Sequence, residues 1–285
     1  VKILHTKQEI KDQLFGHRIS SQAIGLVPTM GALHEGHLTL VEKAKDHSDV
    51  VVVSIFINPT QFNNPEDLEK YPRTLDQDLE MLAKKGVDYV FLPTVEEMYP
   101  EPSQLRFDFG YLETILEGAF RPGHFNGVGV VVSKLFNIIR PTTAYFGQKD
   151  LQQVAIIRRM VEDLSFDVNM EVVPTIREVD GLAMSSRNTR LDAEHRKSAL
   201  IIYKSMTWAK SELLAGRPWF EVQEIILQKF NLEPFAELEY FELVKTNNLE
   251  VVSGLELAKE SADQQYSICT AAYIGDVRLI DNLPI

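Results

Sequence analysis

The eight residues VVVVSIFI, from Val50 to Ile57, hold seven apolar side chains and no polar alternation. A strand with one wet face alternates, whereas a strand packed on both faces does not. The run therefore points to a parallel sheet covered by helices on both sides, the α/β class. It is also far too short to cross a bilayer.

The neighbouring segments repeat the theme. Ile24–Val27 reads as a strand, and a helix is expected from His37 to about Asp46, with Leu38, Val41 and Ala44 on one face. Leu75, Leu79 and Leu82 mark another helix, stopped by Gly86. Val87–Leu92 reads as a strand ended by Pro93. Val128, Val132, Leu135 and Ile139 keep helical spacing despite the valines, and Pro141 closes that helix. Ala144–Phe146 is a short strand. The helix after it carries Leu151, Val154, Ile157, Val161 and Leu164, with Asp150 and Gln153 placed to form a capping pair. Val168–Val173 completes the series. The βαβ order predicts a Rossmann-like, doubly wound parallel sheet over residues 1–176.

The pattern changes over residues 177–285. Asp180-Gly181 signals a tight turn, and a long amphipathic segment runs from Asp192 to Ala215. A second helix begins near Pro218, with proline at its first position. Candidate strands follow at Glu237–Val244, Tyr266–Tyr273 and Val277–Ile280, the last two joined by a Gly275-Asp276 hairpin. The expectation is a second, smaller α+β C-terminal domain.

The charge balance, 29 − 41 = −12, argues against nucleic acid or an anionic membrane as the main partner. A single cysteine, Cys269, cannot form an internal disulfide and sits among apolar neighbours, so a small buried hydrophobe is expected. The opening VKILHTKQEI carries charges where a signal peptide is apolar. A cytoplasmic protein is the expectation.

Between the first strand and its helix stands PTMGALHEGH, Pro28 to His37, with two glycines and two histidines. In open α/β sheets ligands bind beyond the carboxyl ends of strands, and a helix N-terminus offers free N–H groups to phosphate. Histidines at i and i+3 share a helix face, so a metal site competes with that reading. Plain turn and cap chemistry is the third possibility, and the residues alone leave all three open.

PTMGALHEGHLTLV resembles the HxGH signature of the adenylate-forming nucleotidyltransferases, and in its longer form the pantothenate synthetase (pantoate–β-alanine ligase) family. Three further stretches are similar to that family in the same order: SIFINPTQF (Ser54–Phe62), AYFGQKDLQQ (Ala144–Gln153) and REVDGLAMSSRNTRL (Arg177–Leu191). FRPGHFNGV, from Phe120, and the closing AAYIGDVRLIDN add weaker matches. Gly129-Val130 and Thr142-Thr143 depart from common family pairs.

The resemblance implies a ligase that joins pantoate to β-alanine through a pantoyl adenylate, consuming ATP with Mg2+ and releasing pyrophosphate and AMP. It implies catalytic roles for His34, His37, Lys149 and Arg187. ATP would be bound by Met30, Gly31, Ala32, Leu33, His34, Glu35, Gly36 and His37, and by Gly147, Gln148, Lys149 and Asp150. Ile176, Met184, Ser185, Ser186 and Arg187 would complete that site. Pantoate and β-alanine would be held by Gln61 and Gln153, with Pro28, Thr29 and Arg121. The family pattern further implies a homodimer and a C-terminal domain that closes as a lid; it names no protein ligand for the metal. Two other readings compete: an AMP-transferring relative acting on a phosphorylated acceptor, and a nucleotide-binding regulator without chemistry.

Overall fold

The computed structural model describes residues 1–253 and 264–285. Among them nine strands form two sheets. The first contains β1 (Lys2–Leu4), β2 (Ile24–Thr29), β3 (Val50–Ile55), β4 (Tyr89–Phe91), β5 (Thr143–Gly147) and β6 (Asn169–Val173). Their order is β1-β4-β3-β2-β5-β6, and every neighbouring pair is parallel.

β3 explains the run that constrains the sequence. Its six residues are all buried, none more than 6 % exposed. Val50 and Val52 pack in the cluster of the helix His124–Ile139, while Val51 and Val53 pack with Leu38, Val41 and Leu82 on the opposite side. Alternate side chains thus enter two different cores. Each fully buried valine contributes roughly 1.5–3 kcal/mol.

The winding reverses beside β2. From there the chain steps through β3 to β4 on one side, while β5 and β6 lie on the other. This switch point opens a crevice beyond the carboxyl ends of β2 and β5, where such folds bind ligands. Gly25 and Leu26 pair with Thr143 and Ala144, so the loops after Thr29 and Gly147 emerge side by side.

The second sheet is antiparallel: β7 (Ala236–Lys245), β8 (Tyr266–Ile274) and β9 (Val277–Pro284). One face packs on the helices Leu200–Leu214 and Trp219–Asn231, with Trp219 stacked on Phe241 at 5.7 Å. Tyr240, Val244, Cys269 and Ala271 turn the other way, against Leu116 and Leu249. Cys269 is the small buried apolar residue expected, and burial pushes its thiol pKa up.

Four local expectations change. Lys2–Leu4 and the helix Lys7–Ile19 add a strand and a helix before the first expected element. The segment from Asp192 to Ala215 is two helices, Ala193–Ser198 and Leu200–Leu214, parted at Ala199. Pro218 precedes the first residue of its helix rather than occupying it. Asp150 stands at the start of the helix Leu151–Asp163 but makes no side-chain cap bond, so the Asp150–Gln153 capping pair does not form. Both side chains line the crevice instead.

Candidate active site

β2 ends in Pro28 and Thr29, and these two and Met30 just beyond the strand line the main cavity at the switch point. The Thr29 hydroxyl is already engaged: it donates to the Ser54 carbonyl at 2.8 Å and accepts from the Gly31 amide at 3.2 Å. The chain then turns through two left-handed residues, Gly31 (φ +80°) and Ala32 (φ +49°).

Asp78 holds that turn. It is 1 % exposed, and accepts from the amides of Ala32 and Leu33, each at 2.9 Å, and from Thr74 Oγ1 at 3.0 Å. A Cβ on Gly31 would lie 3.1 Å from Asp78 Oδ2. Gly31, Ala32 and Leu33 do not line the cavity, and the absence of a side chain at Gly31 leaves room for Asp78. Exposed Glu35 also lies off the lining.

The second glycine serves the histidines. A Cβ on Gly36 would lie 2.9 Å from Cε1 and 3.0 Å from Nδ1 of His34. Without it the His34 ring sits over the start of the helix Glu35–His47, 4.1 Å from the His37 ring between centroids. Both imidazoles line the cavity. The His34 backbone N–H donates to His37 Nδ1 at 3.3 Å. An accepting Nδ1 leaves the proton of neutral His37 on Nε2. Burial, then the charge of Lys149, lowers the His34 pKa to about 4. Burial, His34 and Lys149 hold His37 well below its usual range. The pair is therefore neutral near pH 7, and His34 Nδ1 is buried with no hydrogen-bond partner among the described residues.

Across the crevice, β5 delivers Gly147, Lys149 and Asp150 to the same cavity. A Cβ at Gly147 would meet nothing within 4 Å, so the space beside it is open. Lys149 Nζ stands 3.8 Å from Asp150. Gln148 does not line the cavity; its carbonyl accepts from Asn282 at 2.8 Å. One turn on, the two glutamines divide. Gln152 is buried and bonded to the Glu117 amide and the Leu112 and Ile115 carbonyls, whereas Gln153 faces the cavity.

Ile176, Met184, Ser185, Ser186 and Arg187 form a third wall. Ser185 accepts from the Arg187 amide at 3.3 Å, and Ser186 donates to the Tyr71 hydroxyl at 3.3 Å. Arg187 grips Asp67 with two bonds, of 3.3 and 2.7 Å, and lies over the Tyr71 ring. Burial opposes the Asp67 charge, but Arg187 holds its carboxyl below the usual range.

Gln61 follows β3 in the short turn Pro59–Gln61 and is 8 % exposed. Its Oε1 accepts from Asn58 at 3.1 Å and its Nε2 approaches Met30 Sδ at 3.2 Å. Arg121 lies outside this lining. It borders a smaller neighbouring cavity, with Lys149, Asp150 and Gln153 shared between the two.

Sequence reasoning missed Asn58, Tyr71, Asp67 and Asp78. Asn58 lies inside SIFINPTQF and was open to the argument used for Gln61. Asp78 falls between the leucines that mark its helix, Leu75, Leu79 and Leu82, and an acidic residue there carries no sign of burial in the apolar spacing.

Among the described residues, no group of three or more His, Cys, Asp or Glu could hold a metal ion. No described helix is long and apolar enough to cross a membrane. A doubly wound sheet that gathers an HxGH turn, a lysine and a Ser-Ser-Arg loop at its switch point defines a ligand-binding α/β protein, with the site in the crevice where such folds take their ligands. A family model described as Pantoate-beta-alanine ligase matches residues 2–284, and the chain belongs to that family.

The relatives agree along the whole chain. It is 49% identical over 290 residues to a pantothenate synthetase of Phocaeicola vulgatus, covering 99% of both chains. It is 48% identical to one from Thermosipho africanus, covering 100% of both. Among solved structures it resembles the pantothenate synthetase of Thermus thermophilus, with a TM-score of 0.90, 40% identity and 99% coverage of each chain. It also resembles the Francisella tularensis pantoate-beta-alanine ligase complexed with beta-gamma ATP and beta-alanine. There the TM-score is 0.80 and the identity 38%, over 99% of this chain and 97% of that one.

Proposed function

We propose that the cavity at the β2/β5 switch point performs both steps of an AMP-forming pantoate–β-alanine ligation. The observation that carries the reading is that His34, His37, Lys149 and Arg187 share one cavity with Gln61 and Gln153. The first four can meet phosphates, and the two neutral amides can meet an acid that also carries hydroxyls.

In the first step the pantoate carboxylate attacks the α-phosphate of ATP in line, and pyrophosphate leaves. Such chemistry needs positioning and charge stabilisation rather than a covalent nucleophile. His37 donates from Nε2–H to the phosphate oxygens as charge grows on the leaving group. Lys149 offsets charge at the transferred phosphorus. Arg187, with Ser185 and Ser186, meets the outer phosphates. In the second step the β-alanine amine attacks the activated carbonyl and AMP departs, giving pantothenate.

Gln61 and Gln153 orient pantoate beside Pro28, Thr29 and Met30, with Gly36, Gly147, Ile176 and Met184 around the nucleotide. A magnesium ion accompanying ATP would be held mainly by phosphate oxygens and water and would offset phosphate charge. Asp150 is the one carboxylate among the described residues lining the cavity, and its partly exposed position fits that lightly held ion. Residues 177–285 act as the lid over a nucleotide- and pantoate-binding unit of residues 1–176, since Met184–Arg187 already reach the cavity. The working form is a homodimer in a reducing cytoplasm.

AMP release tests this reading. It should require pantoate, β-alanine and ATP together, with each omission abolishing turnover. AMP release independent of β-alanine would contradict it.

A further inference from the structure

A buried charged cluster joins the C-terminal sheet to the first unit outside the main cavity. Glu117, 5 % exposed, lies at its centre. Its Oε1 accepts from Tyr240 Oη at 2.8 Å and Arg278 Nη2 at 2.7 Å. Its Oε2 accepts from Arg278 Nη1 at 2.8 Å and Arg121 Nη1 at 3.3 Å. Although burial opposes ionisation, Arg278, Arg121 and the tyrosine hydroxyl hold the Glu117 pKa at about 2.

The cluster continues in one direction. Arg121 Nη1 lies 3.2 Å from His124 Nε2, and His124 Nδ1 lies 2.7 Å from the Gln61 carbonyl. A guanidinium can only donate and a carbonyl can only accept. His124 is therefore the neutral tautomer with its proton on Nδ1, accepting from Arg121 and donating to Gln61. Burial, then the Arg121 charge, keeps it neutral, with a pKa of about 3. Beneath this contact, a Cβ on Gly127 would lie 2.3 Å from the Thr60 carbonyl oxygen, so the helix presses directly on the turn bearing Gln61.

We propose that Glu117, Arg121 and His124 are positioning residues for the acid subsite, fixing Gln61 through its backbone from an anchor on β7 and β9. The inference rests on the ligase reading, in which the Gln61 amide orients pantoate. Asn58 sets the Gln61 side chain and His124 sets its main chain, so the amide has one pose before substrate arrives. A cluster that merely fastened two parts of the chain would affect both substrates alike.

The experiment is pantoate-dependent pyrophosphate release, with KM measured for pantoate and for ATP. Gln61→Ala is the reference and should raise the pantoate KM about tenfold or more with the ATP KM within about twofold. His124→Leu, Arg121→Met and Glu117→Gln should follow it, and His124→Asn, which restores an N–H donor, should recover most of the loss. Because Glu117→Gln leaves Arg278 with Glu239 as its one remaining carboxylate among the described residues, Arg121→Met tests the link with the Glu117–Arg278 pair intact. The double variant Arg121→Met/His124→Leu should cost no more than the worse single one, since both cut one line; additive losses would mean that Arg121 touches substrate itself and would overturn the relay. Equal shifts in both KM values, or none, beside a normal Gln61→Ala response would also overturn it and leave the ligase reading standing. An unchanged pantoate KM in Gln61→Ala would remove the reading and the relay together.

Discussion

The His34 backbone N–H donates to His37 Nδ1 at 3.3 Å, so one main-chain bond selects the nitrogen that His37 turns to the cavity. With Nδ1 accepting, the proton belongs on Nε2, and neutral His37 is a fixed hydrogen-bond donor. Nitrogen NMR of the free protein near neutral pH should show His37 as the Nε2–H tautomer. An Nδ1–H tautomer or a charged ring would contradict the bond.

Burial and Lys149 bring the His34 pKa to about 4, below an unfolded value near 6.5. The unfolded chain therefore binds more protons between those values. The stability contributed by neutral His34 is complete above about pH 6.5 and is lost as pH falls toward 4. The His34 ring resonances should stay constant from neutral pH down to about 5 and move only near 4. A midpoint close to 6.5 would mean that neither the burial nor the lysine acts on it.

Gly36→Ala separates geometry from stability. An added methyl at this helical position would ordinarily stabilise by up to about 1 kcal/mol. Here it would meet the His34 ring at 2.9 Å. Adenylate formation should fall at least about tenfold, as about an ångström of misplacement can cost on the order of a hundredfold. The melting temperature should hold or rise slightly. Full activity would show that the His34 position is not critical.

Asp78→Ala removes the acceptor for the amides of Ala32 and Leu33 and for Thr74. Leaving these buried donors unpaired should cost about 3 kcal/mol and lower the melting temperature by roughly 5–10 °C. Asp78→Asn keeps one acceptor oxygen and should lose about half as much. An unchanged melt in Asp78→Ala would show that the turn holds itself.

What the sequence made legible follows from which forces leave a pattern. Val50–Ile55 reads correctly because burial on both faces removes alternation, and the helix through Val128 and Ile139 reads correctly because its core face keeps period. Lys2–Leu4 is hidden by its length, although Thr6 and Glu9 spell the capping box that does form, with bonds of 3.1 and 2.9 Å. The motif glycines are visible but their purposes are not. Only coordinates show that Gly31 clears space for Asp78 and Gly36 for His34. Arg121 illustrates the same limit: sequence supplies its charge, while its partners Glu117 and His124 come from packing between distant segments.

In the proposed reaction His37 and Lys149 stabilise the transfer of AMP to pantoate. Exchange of labelled pyrophosphate into ATP isolates that step. In the unmodified protein, exchange should require pantoate and proceed without β-alanine. In His37→Ala and Lys149→Ala, it should fall by about a hundredfold or more with the melting temperature little changed. Near-normal exchange in both folded variants would contradict the claim.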